Sequence, residues 1–79
     1  TRALARELAP AVRVNGVAPG AILWPETAAA ETRHALLERT PLSRCGEPAD
    51  IAQAVSYLLG ARFVTGQVLA VDGGRSLND

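Results

Sequence analysis

The chain has 79 residues, 48% of them hydrophobic, and its eight basic and eight acidic residues give a formal net charge of zero. With the charges interspersed, that balance removes the electrostatic reason to expect nucleic acid or a membrane surface as partner, and the apolar runs fall far short of the ~20 residues of a membrane span. A single cysteine, Cys45, excludes an internal disulfide, and with no apolar leader opening the chain the expected setting is cytoplasmic.

Thr1 to Ala9 reads as a helix, with Leu4 and Leu8 one turn apart and Pro10 as its stop. No capping residue precedes it, so the helix looks cut rather than started. Val12 to Val17 alternates and is rich in β-branched residues, the pattern of a strand, and Ala18-Pro19-Gly20 breaks it. Ala21 to Pro25 is a loop. A second helix is expected from about Glu26 to Glu38, its thin apolar face made by Ala29, Ala30, Leu36 and Leu37. Thr40 to Glu47, with Pro41 and Gly46, is a connector. Pro48 then suits a first helical position, and Glu47 and Asp50 put negative charge at the positive end of the helix dipole. Ile51, Ala54, Val55, Leu58 and Leu59 follow the spacing of one buried stripe, and Gly60 stands where a helix-ending glycine is expected. Val68 to Val71 is a short apolar run between Gly66 and Asp72-Gly73-Gly74, which reads as a strand covered on both faces.

The order is helix, strand, helix, helix, strand. Helices between strands imply parallel strands and an α/β fold. Two parallel strands do not make a stable sheet, and a lone domain of this size buries only about 60% of its unfolded surface. The layer is therefore expected to be completed by other polypeptide.

Ligands in open α/β sheets sit outside the carboxyl ends of the strands. A Pro-Gly turn there removes side-chain bulk and can offer backbone groups to a flat polar ligand, although an ordinary strand-ending turn has the same composition. His34, the only histidine, reads as a surface helical residue. Cys45 has no neighbours that mark a reactive thiol. Tyr57 reads as packing on its helix. Asp72 beside two glycines reads as a turn rather than a cation site. No cluster has metal-ligand spacing, and no G-x-G-x-x-G fingerprint follows a strand.

Three blocks carry a resemblance. Arg13-Val14-Asn15-Gly16-Val17-Ala18-Pro19-Gly20 resembles the RVN-x-V-x-PG segment of short-chain dehydrogenases/reductases. Pro41-Leu42-Ser43-Arg44, with Gly46-Glu47-Pro48 and Asp50-Ile51-Ala52, is similar to the family's PLgR-x-G-x-PeeIA stretch, and Val64-Thr65-Gly66-Gln67 with Val71-Asp72-Gly73-Gly74 to its final vTGq…vDGG strand. The resemblance implies an α/β chain that is the C-terminal portion of a Rossmann-type doubly wound parallel sheet. It implies a cofactor, NADP or alternatively NAD, whose nicotinamide carboxamide is held by Pro19, Gly20 and Ile22, largely through backbone atoms. Trp24 stands where the family often has a threonine. Ala21-Ile22-Leu23-Trp24-Pro25-Glu26 resembles the bacterial pteridine reductase branch, which makes Leu23 and Trp24 candidates for substrate contact.

By the same resemblance the glycine-rich dinucleotide turn and the catalytic Ser, Tyr and Lys lie upstream, so no catalytic residue and no metal ligand is expected in this chain. The implied activity is NADPH-linked reduction of a pteridine. A 3-oxoacyl-carrier-protein reductase or another alcohol or ketone dehydrogenase is the alternative within the family, and a non-catalytic oligomerisation module the alternative outside it. Implied partners are the remainder of the same reductase, further copies in a homotetramer, and a small-molecule substrate. Leu69, Val71 and Ser76 to Asp79 are the candidates for contact with a neighbouring copy.

Overall fold

The structure, a computed structural model, describes residues 1–20 and 29–78. The elements are α1 (Arg2–Leu8), β1 (Gly16–Pro19), α2 (Ala30–Glu38), α3 (Pro48–Gly60) and β2 (Val68–Val71), followed by a 3-10 turn over Arg75–Asn78. The two strands pair in parallel, with Gly16 opposite Val68 and Pro19 opposite Val71. The α/β class, the element order and both bounds of β2 agree with the sequence reading. The 3-10 turn was not foreseen in it.

The first strand lies further along than its β-branched pattern suggests. Val12 to Asn15 lie outside the strand: the Val12 N–H returns to the Leu8 carbonyl at 3.0 Å, and Val14 and Asn15 bond the 64–67 loop. The Val14 N–H donates to Thr65 Oγ1 at 3.1 Å, and the Gly66 N–H donates back to the Val14 carbonyl at 2.8 Å. Ladder pairing begins at Gly16, whose N–H donates to Gln67, and ends with Gly20, whose N–H donates to Val71 at 3.0 Å. Backbone groups alternate in direction along a strand, so those of Gly16 and Gly20 face β2 and those of Pro19 face the other edge. Pro19 therefore costs the ladder no donor, and it sits inside the strand rather than breaking it.

Helix α1 stops where Ala9 turns extended, ahead of Pro10. Its buried residue is Ala5, which lies 3.5 Å from where a Cβ on Gly66 would stand; Leu4 and Leu8 are exposed. Helix α2 begins at Ala30, because Ala29 is extended, so it starts later than the expected Glu26. Residues 26–28 lie outside the described residues.

Helix α3 starts as expected. Pro48 opens it, and the Asp50 carboxylate accepts the Glu47 N–H at 2.7 Å. Its other end differs from expectation. Gly60 is the last helical residue rather than a left-handed cap, and Ala61 follows as the C-cap. The terminal carbonyls are taken instead by the guanidinium of Arg13, which donates to Leu58 at 2.7 Å, Leu59 at 3.0 Å and Ala61 at 2.9 Å. A cation forked over three carbonyls at the negative end of the dipole does the work that a capping glycine would do. The stripe is also narrower than expected: Ala54 is buried, Ile51 and Leu58 half-buried, and Val55 and Leu59 exposed.

Among the described residues only Ala5, Ala54 and Thr40 are buried. Strand β2 is not covered on both faces by this chain: Val68 is 57% exposed and Leu69 38%. Tyr57 and Phe63 also stand in the open, so the expected packing role of Tyr57 is not met among the described residues. The radius of gyration is 15.3 Å, against about 12 Å for a compact domain of this length. The described residues thus form one corner of an α/β layer, with the sheet edge and apolar faces uncovered. No described helix is long and apolar enough to cross a membrane.

Candidate functional site

The amino ends of the two strands are closed by side chains. Asn15 reaches across with both of its polar atoms. Its Nδ2 donates to the Val64 carbonyl at 2.9 Å, and its Oδ1 accepts the Gln67 N–H at 3.1 Å. With Val14 on Thr65 and Arg13 on α3, the whole Arg13-Val14-Asn15 block serves as a clasp between β1, the 64–67 loop and α3. These residues were legible as a motif, but the string alone does not reveal what they hold.

The carboxyl ends are built differently, from close backbone contacts. A Cβ on Gly20 would stand 2.8 Å from Asp72 Cα and 2.9 Å from Asp72 Cβ, so only glycine lets the two strand ends approach. The Gly20 N–H is engaged by Val71 and is not available to a ligand. Beyond Asp72 the chain turns sharply through Gly73 and Gly74, both with positive φ. The Asp72 carboxylate accepts the N–H groups of Gly74 at 3.0 Å and Ser76 at 3.1 Å. Hydrogen bonds from the Ser76 side chain and from these backbone groups hold it below the usual carboxylate range. Asp72 is thus a turn residue, as read from sequence.

Onto this turn docks the connector after α2. The Leu42 N–H donates to the Gly73 carbonyl at 3.0 Å. A Cβ on Gly73 would meet Thr40 Cγ2 at 2.7 Å, and one on Gly74 would meet the Pro41 ring at 3.1 Å. Two blocks that stand 30 residues apart in the sequence, Pro41-Leu42 and Gly73-Gly74, are one contact in the fold. Between them and the first turn of α3 lies a groove of about 380 Å³, with Leu37, Leu42 and Val71 as apolar wall and Thr40, Asp50 and Gln53 as polar wall. At its rim Arg44 pairs with Asp50 at 3.2 Å. That pair, together with the Glu47 N–H that leads the effect, lowers the Asp50 pKa, while Asp50 raises that of Arg44.

Of the expected ligand contacts, Pro19 and Gly20 close β1 at this carboxyl end, with Pro19 exposed. Ile22, Leu23 and Trp24 lie outside the described residues. His34 is on the exposed side of α2, paired with Glu38 at 3.0 Å. The half-buried Cys45 thiol donates to the Gly46 carbonyl at 3.4 Å. Among the described residues no group of acidic, histidine or cysteine side chains could hold a metal ion.

Two parallel strands with helices between them and a glycine-lined opening at their carboxyl ends define an α/β chain of Rossmann type. A family model described as enoyl-(acyl carrier protein) reductase matches residues 1–76, and the chain belongs to that family, the short-chain dehydrogenases/reductases. It is 49% identical over 81 residues to a protein of Streptomyces violaceoruber named as ketoacyl reductase 2 of the granaticin polyketide synthase, covering 98% of this chain and 32% of the relative. It is 44% identical over 77 residues to a dihydromonapterin reductase of Citrobacter koseri, again covering 98% of this chain and 32% of the relative. The chain thus spans about a third of the length of the curated relatives it matches.

Solved structures agree. A short chain dehydrogenase from Leptospira borgpetersenii with bound NAD+ superposes with a TM-score of 0.87 at 38% identity, covering 96% of this chain and 30% of that one. A protein of Agrobacterium tumefaciens named as a 2-deoxy-D-gluconate 3-dehydrogenase, with bound NADP, superposes with a TM-score of 0.88 at 40% identity, covering 98% and 34%.

Proposed function

We propose that this chain is the C-terminal segment of a single Rossmann-type domain in an NADPH-linked reductase, and that the whole protein reduces a pteridine of the dihydropterin class. The observation that carries the reductase reading is the carboxyl end of β1. Gly20 packs so closely on Asp72 that no side chain intervenes, and the Pro19 backbone groups are turned to the edge that β2 does not cover. Such an edge fits a flat carboxamide, which needs backbone partners and room. The residues present therefore suit a nicotinamide, with the Pro19 carbonyl as acceptor for the carboxamide N–H, while the Gly20 N–H stays on Val71. Ile22 would complete the contact.

A nicotinamide held at Pro19 and Gly20 would supply hydride chemistry to the substrate when bound. This chain's part is to bind and orient. The groups that move the proton are expected in upstream polypeptide, with Leu23 and Trp24 offering apolar contact to the ring. The dihydromonapterin reductases among the relatives support the pteridine reading. The exposed Leu69 on β2 and the exposed residues of α3 support a homotetramer in which another copy covers Leu69 and the half-buried Val71 beside it, and a cytoplasmic setting fits the lone cysteine.

A second reading, a 3-oxoacyl-carrier-protein reductase, is favoured by the 49% identity to the granaticin ketoacyl reductase. The deciding experiment gives the full-length protein NADPH or NADH with dihydromonapterin or with a β-ketoacyl thioester and follows nucleotide oxidation. Preferential turnover of the pterin with NADPH is expected. Turnover of the thioester alone selects the second reading, and a stable, nucleotide-free oligomer with no turnover selects a non-catalytic module.

A further inference from the structure

Helix α2 is an unusual element of this fold. It has no buried residue and, among the described residues, packs extensively on no other helix or strand. Its chain position is also distinctive, because it follows β1 and its trailing connector docks on the turn beyond the carboxyl end of β2. In an open α/β sheet the ligand lies outside the carboxyl ends of the strands. The described contacts that tie α2 down are concentrated just past its last turn.

There sits Thr40, the only buried polar residue among those described, at 8% exposure. Its hydroxyl donates to the Leu36 carbonyl at 2.7 Å, closing the last turn of α2, and its N–H donates to the Leu37 carbonyl at 3.1 Å. Its methyl lies over Gly73, where a Cβ would come within 2.7 Å. Its carbonyl accepts the Ser43 N–H at 2.7 Å, bending the connector so that Leu42 can bond Gly73. One side chain thus fixes the end of α2 with its hydroxyl and seats it on the turn after β2 with its methyl. Both functional groups are used, and that combination is peculiar to threonine.

We propose that Thr40 is a positioning residue for the organic substrate: by locking the end of α2 to the Gly73–Gly74 turn it sets where Leu37 and the rest of α2 stand beside the carboxyl ends of the sheet. The proposal rests on the reductase reading given above. It assigns Thr40 no contact with the reacting atoms, so the chemical step and the nucleotide should be indifferent to it.

The test uses Thr40→Val, which keeps the shape and methyl and loses the hydroxyl, and Thr40→Ser, which keeps the hydroxyl, both in the full-length protein. Tryptic cleavage after Arg33 and Arg39 reports on the anchoring of α2, and steady-state kinetics reports on positioning. For Thr40→Val, cleavage at both sites should accelerate and the KM for the organic substrate should rise about fivefold, the effect of one lost hydrogen bond. The KM for NADPH and kcat should stay within about twofold of the unsubstituted enzyme. Thr40→Ser keeps the bond to the Leu36 carbonyl but loses the methyl over Gly73, so it should keep the fold and recover the substrate KM only in part. Unchanged cleavage in Thr40→Val overturns the anchor. Faster cleavage with an unchanged substrate KM, or a loss shared equally by the NADPH KM and kcat, overturns the positioning role and leaves a structural one. Absence of turnover by the unsubstituted protein overturns the reductase reading and this role with it, whereas the cleavage result would still stand.

Discussion

The two ends of the small sheet are made by opposite means. At the amino ends, side chains do the joining: Arg13, Asn15 and Thr65 hydrogen-bond to backbone on other elements. At the carboxyl ends, side chains are removed: Gly20, Gly73 and Gly74 let backbone meet backbone or a threonine methyl. The first end is held by specific polar contacts that engage Arg13, Asn15 and Thr65. The second is held by close approach and leaves a groove and an open strand edge. In an α/β fold this division separates what stabilises from what binds, and the family's motif blocks mix the two. Arg13-Val14-Asn15 belongs to the clasp, while Pro19-Gly20, only a few residues on, belongs to the opening.

The largest effect should come from closing the open end. In Gly20→Ala the new Cβ would meet the Asp72 backbone, which cannot rotate away, so the strand ends must separate. A loss of about 2–3 kcal/mol is expected, read as a lower urea midpoint of the full-length protein, with weaker NADPH binding by fluorescence titration. If Gly20→Ala were as stable as the parent, the close approach would not be a determinant of this end.

Breaking the clasp should cost less and leave nucleotide binding alone. Arg13→Ala uncovers three carbonyls at the end of α3, and because the site is exposed, water replaces part of what is lost. About 1–2 kcal/mol is expected, with Arg13→Lys recovering only a fraction because an ammonium cannot span three acceptors as a fork does. Asn15→Asp keeps the acceptor for Gln67 but turns an oxygen towards the Val64 carbonyl. It should cost about 1 kcal/mol or somewhat more, again as a shifted urea midpoint with unchanged NADPH affinity. A change in affinity from either clasp variant would show that the two ends are coupled.

The same contrast explains what was legible in the sequence. Helix α3 and strand β2 were readable because their patterns are local: a proline start, a run of apolar residues, glycine at the bounds. The displacement of β1 was not readable, because Val12 to Asn15 have strand-like composition and only their loop partner, 49 to 52 residues away, decides that they are not a strand. The role of Gly60 was misread for a similar reason, since the cation that ends α3 comes from 45 residues upstream. The pairing of Pro41 with Gly74 is likewise a long-range contact. Motif resemblance identified the blocks and the family with them; it did not show that the Gly20 N–H belongs to the sheet, because that bond to Val71 is made across 51 residues.

The smallest effect belongs to acid. Asp72 and Asp50 both have carboxyl pKa values below the ordinary one. For Asp72 the cause is the hydrogen bonds it accepts from Ser76 and Gly74; for Asp50 it is the Glu47 N–H and then Arg44. A carboxyl with a depressed value in the fold holds its proton less tightly there than in the unfolded chain. The unfolded state therefore gains protons first as pH falls, so the contribution is fully present above about pH 4 and is lost below it, through the folded-state values. Both groups are open to solvent, so the change should be modest. Thermal melts of the full-length protein between neutral pH and pH 3 should show the decline confined to the acid limb. In Asp72→Asn that limb should become shallower, because the amide cannot lose a charge. Since Asp72 belongs to the open end and Asp50 to the groove rim, the Asn variant at each position apportions the acid limb between them. An acid limb as steep in both variants as in the parent would trace it to carboxylates elsewhere.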